Sequence, residues 1–317
     1  MNYFVTGGAG FIGSNLVDVL LAEGHSITVL DNFDDFYPLK IKIKNIEQAR
    51  KNKNYVLVEG DIRDKNILRE IFTNNKVDMV IHLAAKAGVR PSIDYPEVYY
   101  DVNLIGTLNL LEVMMEYGCK KMIFASSSSI YGNNKIVPFS EDDRVDNPIS
   151  PYAATKKAGE LLCYTYHNLY NFDIFCLRFF TVYGPRQRPD LAIYKFTKLI
   201  SGGEPIQAFG DGNTCRDYTY IDDIVQGISS AIFNLNGFEI INLGDSRTIS
   251  LKKMIKTLET EIGKKAKIEF LPEQLGDVKQ TYANIDKAKR ILNYNPQFLF
   301  EEGIKEFVKW YKKGLGK

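Results

Sequence analysis

Tyr152 and Lys156 stand four residues apart in ISPYAATKKAGELL, directly after Pro151. On a helix that spacing puts both side chains on one face. A phenol with its ordinary pKa of about 10 is a poor base at neutral pH, and an ammonium one turn away favours the phenolate. The pair can therefore move a proton. It can equally do no more than solubilise a helix, because tyrosine and lysine at this spacing recur by chance, and its surroundings have to decide.

The second stretch with chemistry in it is TGGAGFIGS, where Gly7, Gly10 and Gly13 give GxxGxxG spacing and Phe11 and Ile12 open an apolar-periodic segment. Glycine is needed where a strand turns tightly into a helix, the backbone approaches a pyrophosphate, and the helix then packs on the strand. Asp31 follows eighteen residues after Gly13, at the end of the next β-rich run. A carboxylate there accepts hydrogen bonds from an adenosine ribose. It would repel a 2′-phosphate, and its neighbour Asn32 offers no cation, so NAD is expected rather than NADP. Asp61, in EGDIRD, ends the third run, where contact with the adenine and capping of the following helix are both open readings.

These residues need elements to hold them. NYFVTG, SITVLDN, YVLVEGD, MVIHLAA, KMIFASSSS and IFCLRFFTVYG are nearly all apolar, with helical segments between them such as NILREIFTN, VNLIGTLNLLEVMMEYG and YAATKKAGELLCYTYHNLYN. Strands of that kind alternating with helices predict a doubly wound parallel sheet of Rossmann type, covered on both faces. After about residue 183 the texture becomes rich in Gly, Pro, Asp and Arg, which marks a smaller mixed α/β region; FEIINLG returns to the large sheet. The expected division is a cofactor-binding domain over 1–182, with a return segment at about 217–244, and a substrate domain over 183–216 and 245–317.

Composition narrows the class. The chain has 317 residues, 45% hydrophobic and 25% charged, with a formal charge of +1, so it can bury a large core and carries no basic excess for gripping nucleic acid. Lysine-rich KIKIKNIEQARKNKN reads as solvated helix faces and loops. Four scattered cysteines, Cys119, Cys163, Cys176 and Cys215, read as reduced packing residues. The N-terminus has no signal-peptide pattern, and no apolar stretch approaches the roughly twenty residues of a membrane span. The expectation is a soluble, cytoplasmic protein with no resident metal.

With TGGAGFIGS, HLAAKAGV, SSSSIYG, PYAATK and RDYTYIDD in one order, the chain resembles the extended short-chain dehydrogenase/reductase family of nucleotide-sugar enzymes from end to end. Within it the chain is most similar to UDP-sugar 4-epimerases, which bind NAD on a Rossmann domain and a UDP-sugar in the smaller one. The resemblance implies that Tyr152 is the base and Lys156 its helper, and that Ser127 bridges the sugar 4-hydroxyl and the phenol. It implies cofactor contacts at the glycine loop, Asp31, Asn32, Asp61, Ile62, Leu83, Ala84, Ala85, Tyr152 and Lys156. It further implies sugar contacts at Ser126 and Ser128 and at Thr181, where many members carry Asn, and a diphosphate partner in Arg216.

Asp277 is carried over as a ribose or structural contact, and Gln274 replaces a second diphosphate-binding arginine of some relatives. Thr281 stands where members restricted to plain hexoses carry tyrosine, so the resemblance implies a roomier pocket. AAKAGVRPSI and FFTVYGPRQRPDLA resemble the UDP-glucuronate 4-epimerase branch, with Arg90 and Arg188 as partners for a sugar carboxylate. UDP-N-acetylglucosamine, UDP-glucuronate and UDP-glucose all stay open. A 4,6-dehydratase or decarboxylase is the rival enzyme, although Ser128 and Ser129 occupy the places where such enzymes hold acids. A non-catalytic NAD-binding regulator is the rival of another class. The two long apolar helical segments, around 102–117 and 158–172, imply a homodimer joined through a four-helix bundle.

Overall fold

The structure, a computed structural model, describes residues 1–272 and 278–314. The chain opens as β1 (Asn2–Thr6), α1 (Phe11–Ala22), β2 (Ser26–Asp31), α2 (Leu39–Asn45), β3 (Tyr55–Glu59), α3 (Lys65–Asn74) and β4 (Met79–His82). Two short helices, α4 (Val89–Asp94) and α5 (Pro96–Tyr100), run through a π-helical turn into α6 (Gly106–Glu116), β5 (Lys121–Ser127), α7 (Pro151–Tyr170) and β6 (Asp173–Phe179). Then come β7 (Thr181–Tyr183), α8 (Ala192–Gly202), β8 (Pro205–Phe209), β9 (Cys215–Tyr220), α9 (Ile221–Asn234) and β10 (Phe238–Leu243). The chain closes with β11 (Thr248–Ser250), α10 (Leu251–Ile262), β12 (Lys267–Leu271), α11 (Asp286–Leu292) and α12 (Phe300–Gly314).

Seven strands form one sheet in the order β10-β6-β5-β4-β1-β2-β3, every pairing parallel. Side chains alternate across a strand, so a strand covered on both faces is apolar throughout. Phe4, Val80, Met122 and Ile174 lie side by side across β1, β4, β5 and β6, in a core shared with Leu68 of α3, Leu110 of α6 and Cys163 of α7. Their chain neighbours Val5, Ile81, Ile123 and Phe175 point the other way, onto Leu16 and Leu20 of α1 and Ile224 and Ile228 of α9. Each fully buried side chain of this size contributes about 1.5–3 kcal/mol of transfer free energy.

The strand order reverses at β1, which has β2 on one side and β4 on the other. At such a point the carboxyl ends of the strands open a crevice. Two smaller sheets lie beyond: β11-β9-β7, which mixes an antiparallel and a parallel pairing, and the parallel pair β12-β8. The run IFCLRFFTVYG, read as one strand from sequence, is divided at Phe180. Its first part stays in the large sheet as β6, and its second, β7, pairs with β9. No helix among the described residues is long and apolar enough to cross a membrane.

Candidate active site

The glycine loop joins β1 to α1 in a cradle that side chains would fill. Gly7 has φ +73°, and a Cβ there would lie 2.8 Å from the Ala84 amide nitrogen; a Cβ on Gly13 would lie 2.3 Å from the Gly7 carbonyl oxygen. Gly10 caps α1 without a side-chain acceptor, so the first amide groups of the helix are left for an anion. Asp31, at the end of β2, accepts from Ala9 N at 3.0 Å and Phe33 N at 2.9 Å, which locks the loop and keeps lone pairs for a further donor. This backbone cradle and carboxylate fit a dinucleotide.

Asp31 also has a cation beside it that the sequence reading did not place. Lys42 Nζ lies 3.8 Å from Asp31 Oδ1 and over the Tyr37 ring at 5.0 Å, with its side chain buried. So one lysine of the supposedly solvated run is folded into the cofactor corner. Asp61 accepts from Asn32 and Arg63, whose hydrogen bonds hold its carboxyl low against the cost of partial burial. The cap of α3 is Asp64, which accepts from Asn66 N at 2.8 Å.

Three of the predicted groups line the same cleft. Ser150 caps α7 by accepting from Ala153 N at 3.2 Å and Pro151 takes the first helical position, which places Tyr152 in the first turn. Ser127 ends β5; its hydroxyl donates to the Ser129 hydroxyl at 3.1 Å and lies beside the Tyr152 phenol. Burial raises the Tyr152 phenol above its ordinary value; the Ser127 hydroxyl and the Arg188 guanidinium pull it back. Lys156 turns its ammonium to the Ala125 carbonyl at 2.7 Å, and burial pushes it down to about 8. Arg188 is a cation acting on the phenol that the helical spacing did not point to.

Residues 4–307 match the family model described as GDP-mannose 4,6 dehydratase. The chain belongs to this family. It is 49% identical over 314 residues to a UDP-glucuronate 4-epimerase of Thermodesulfobacterium geofontis, covering 99% of this chain and 97% of that one. It is also similar to the crystal structure of UDP-glucuronic acid 4-epimerase from Bacillus cereus in complex with UDP-glucuronic acid and NAD, at 37% identity and a TM-score of 0.93, with 99% of each chain covered. A UDP-glucose 4-epimerase of Thermotoga maritima, solved with UDP-glucose, matches at 35% identity and a TM-score of 0.92, over 99% of this chain and all of that one.

The cofactor-side positions Gly7, Gly10, Phe11, Ile12, Gly13, Asp31, Asn32, Asp61, Ile62, Leu83, Ala84 and Ala85 line one cleft with Ser126, Ser127, Ser128, Tyr152, Lys156, Thr181 and Arg188. The Ser126 hydroxyl, however, is spent on Glu160 Oε1 at 2.7 Å. Arg216 and Thr281 are not among the residues lining that cleft. Arg216 donates to the Cys215 carbonyl at 2.9 Å, and the Thr281 hydroxyl accepts from Asp217 N at 3.1 Å. Buried Asp217 itself accepts from Asp245 N, Ser246 N and Ala283 N, pinning the Thr281 segment to β9. Asp277 and Gln274 lie outside the described residues.

Two further cations flank the cleft. Lys86 donates to both oxygens of Asp34, at 2.8 and 2.7 Å, and Arg188 grips Asp190 at 3.0 and 2.8 Å. The Phe36 ring has Lys86 at 5.6 Å and Arg188 at 5.3 Å from its centre. Asn103, in the π-helical turn, holds both backbone groups of Lys86 and the Thr155 hydroxyl of α7. The Arg90 guanidinium lies over the Phe209 ring at 4.8 Å. Lys86 sits inside the quoted HLAAKAGV, so its motif was visible from sequence; Phe36 and Asn103 gave no such signal. Among the described residues no cluster of His, Cys, Asp and Glu is suited to a metal ion.

Proposed function

We propose that this chain is a UDP-sugar 4-epimerase that works with NAD, and that UDP-glucuronate is its sugar nucleotide. The observation that carries the reading is the meeting of Ser127, Tyr152 and Lys156 in the cleft that the glycine loop opens. The glycine cradle, the orphan amides of α1 and Asp31 would hold the dinucleotide. Bound there, NAD supplies an acceptor for the hydrogen and electron pair of sugar C4 and a donor for their return. Tyr152 takes the 4-hydroxyl proton, with Ser127 bridging the two oxygens and Lys156 and Arg188 favouring the phenolate. The 4-keto sugar then turns its other face before Tyr152 gives the proton back, which inverts C4 with no net oxidation.

Ser128 and Thr181 line the cleft together with Arg188, which is paired with Asp190, and the relatives' names support UDP-glucuronate as the sugar nucleotide. Ser128 and Ser129 provide no acid for a dehydratase step, so the epimerase is the better reading. We assign residues 1–182 and about 217–244 to the cofactor and the rest to the UDP-sugar, with Arg216 as the diphosphate partner. Exposed Leu161, Tyr164 and Leu169 on α7 and Ile105 ahead of α6 leave an apolar face that a second copy would cover, forming a four-helix bundle. The four free cysteines support a reducing setting such as the cytoplasm. The test is Tyr152→Phe: NAD binding should persist while turnover falls by about 10²–10⁴-fold. A variant that keeps its turnover would rule the base assignment out.

A further inference from the structure

Three consecutive residues at the end of β5 are each tied to a different turn of α7. Ser127 meets Tyr152, the Ala125 carbonyl accepts from Lys156 at 2.7 Å, and Ser126 donates to Glu160 Oε1 at 2.7 Å. Tyr152, Lys156 and Glu160 are spaced four apart and share one helix face. Glu160 is 1% exposed, and Arg178 of β6 grips it with Nε at 2.8 Å and Nη2 at 2.9 Å. Arg178 in turn donates to the Tyr131 hydroxyl, which donates to Asn242 of β10 at 2.7 Å. A buried ion pair of this kind is no better for stability than well-packed apolar side chains. Its position between the reacting residues and the sheet calls for another reason.

We propose that Glu160 is the positioning residue of this site: through its bonds to Ser126 and Arg178 it sets the height of α7 against β5, and with it the placing of Tyr152 beside Ser127. The proposal rests on the reading of Tyr152 and Lys156 given above. Around Glu160 stand three cations, Lys156 on its own helix, Arg178 from β6 and Lys157 at 3.5 Å. Lys156 also faces Cys163 on α7 and neutral, buried His82 from β4, while β5 offers it only the Ala125 carbonyl and the Phe124 ring. Glu160 is therefore the carboxylate that balances this cluster. Burial disfavours the charged lysine, and Cys163 and then the Glu160 charge oppose that loss.

The sign follows directly. Lys156 supports the phenolate only while charged, so turnover falls as pH rises through its titration. Without the Glu160 charge that fall begins at lower pH. The experiment is the pH profile of kcat for wild type, Glu160→Gln, Ser126→Ala and Lys156→Met, with circular dichroism to check folding. Glu160→Gln should move the alkaline limb down by about one pH unit with KM little changed. Ser126→Ala cuts the register bond but keeps the charge, so kcat should fall about three- to tenfold with KM and the limb in place.

A folded Glu160→Gln whose alkaline limb coincides with wild type overturns the proposal. So does a wild-type kcat in Ser126→Ala, whether or not Glu160→Gln folds. Lys156→Met separates the two levels. If it keeps the wild-type limb, the reading of Lys156 fails and the proposal with it; if it loses the limb while Glu160→Gln keeps it, the proposal alone falls.

Discussion

Replacing Gly13 by alanine tests the cofactor cradle quantitatively. The added methyl would lie 2.3 Å from the Gly7 carbonyl oxygen and 2.8 Å from the Gly8 Cα. Both neighbours are backbone, so the loop has to retreat by about 1 Å to restore ordinary contact. Overpacking of that kind costs about 1–3 kcal/mol, and at about 2–4 °C per kcal/mol the upper end corresponds to a fall of about 6–12 °C in melting temperature. The same shift moves the amides that face the pyrophosphate, so NAD affinity should drop by about 100-fold. Gly24→Ala is the control. It has φ +84° with nothing within 4 Å of the new methyl, so it carries only the left-handed backbone cost of about 1 kcal/mol. Differential scanning fluorimetry and NAD titration of both variants provide the assay. If Gly13→Ala behaves like Gly24→Ala in both measurements, the reasoning about the cradle is wrong.

Three other outcomes are expected. Asp31→Ala should raise NADP affinity relative to NAD by about tenfold, because it removes the repelling carboxylate and frees Lys42, 3.8 Å away; an unchanged preference would contradict that pairing. His82 is buried between the Thr6 and Thr107 hydroxyls, and burial pushes its pKa from 6.5 down to about 3. Between those values the unfolded chain binds the extra proton, so stability falls as pH falls below the free value, by up to about 1.4 kcal/mol per pH unit. Melting curves taken from neutral to acid pH should be steeper for wild type than for His82→Gln, and parallel curves would count against a neutral histidine. Light scattering at micromolar concentration should give a dimer; a monomer would refute the α6/α7 interface.

The large sheet was legible because strands buried on both faces read as unbroken apolar runs, and the glycines and Asp31 mark where those strands end. The break at Phe180 was not legible: RFFTVY contains no turn residue, and β7 pairs with β9, farther along the chain, and not with the large sheet. Lys42 was misread for a similar reason. Its neighbours are solvated lysines, and its burial depends on Asp31 and Tyr37. Two further signals are present in the sequence. Alternation across a strand turns adjacent serines to opposite faces, which sends the Ser126 hydroxyl to Glu160 while the Ser127 hydroxyl goes to Ser129. Asp64, immediately before the apolar period of NILREIF, is a better cap than Asp61 by position alone. The placement of Arg216 and Thr281 depends on how β9 meets the segment around Ala283, a contact between distant parts of the chain that no local pattern encodes.

The most direct test of the central claim is to incubate the purified protein, with NAD supplied, with UDP-glucuronate, UDP-N-acetylglucosamine and UDP-glucose in separate reactions and resolve the 4-epimers by proton NMR. The account predicts conversion of UDP-glucuronate to an equilibrium mixture with UDP-galacturonate, abolished in Tyr152→Phe. No 4-epimer from any of the three, or a 4-keto-6-deoxy product or released CO₂ in its place, would contradict it.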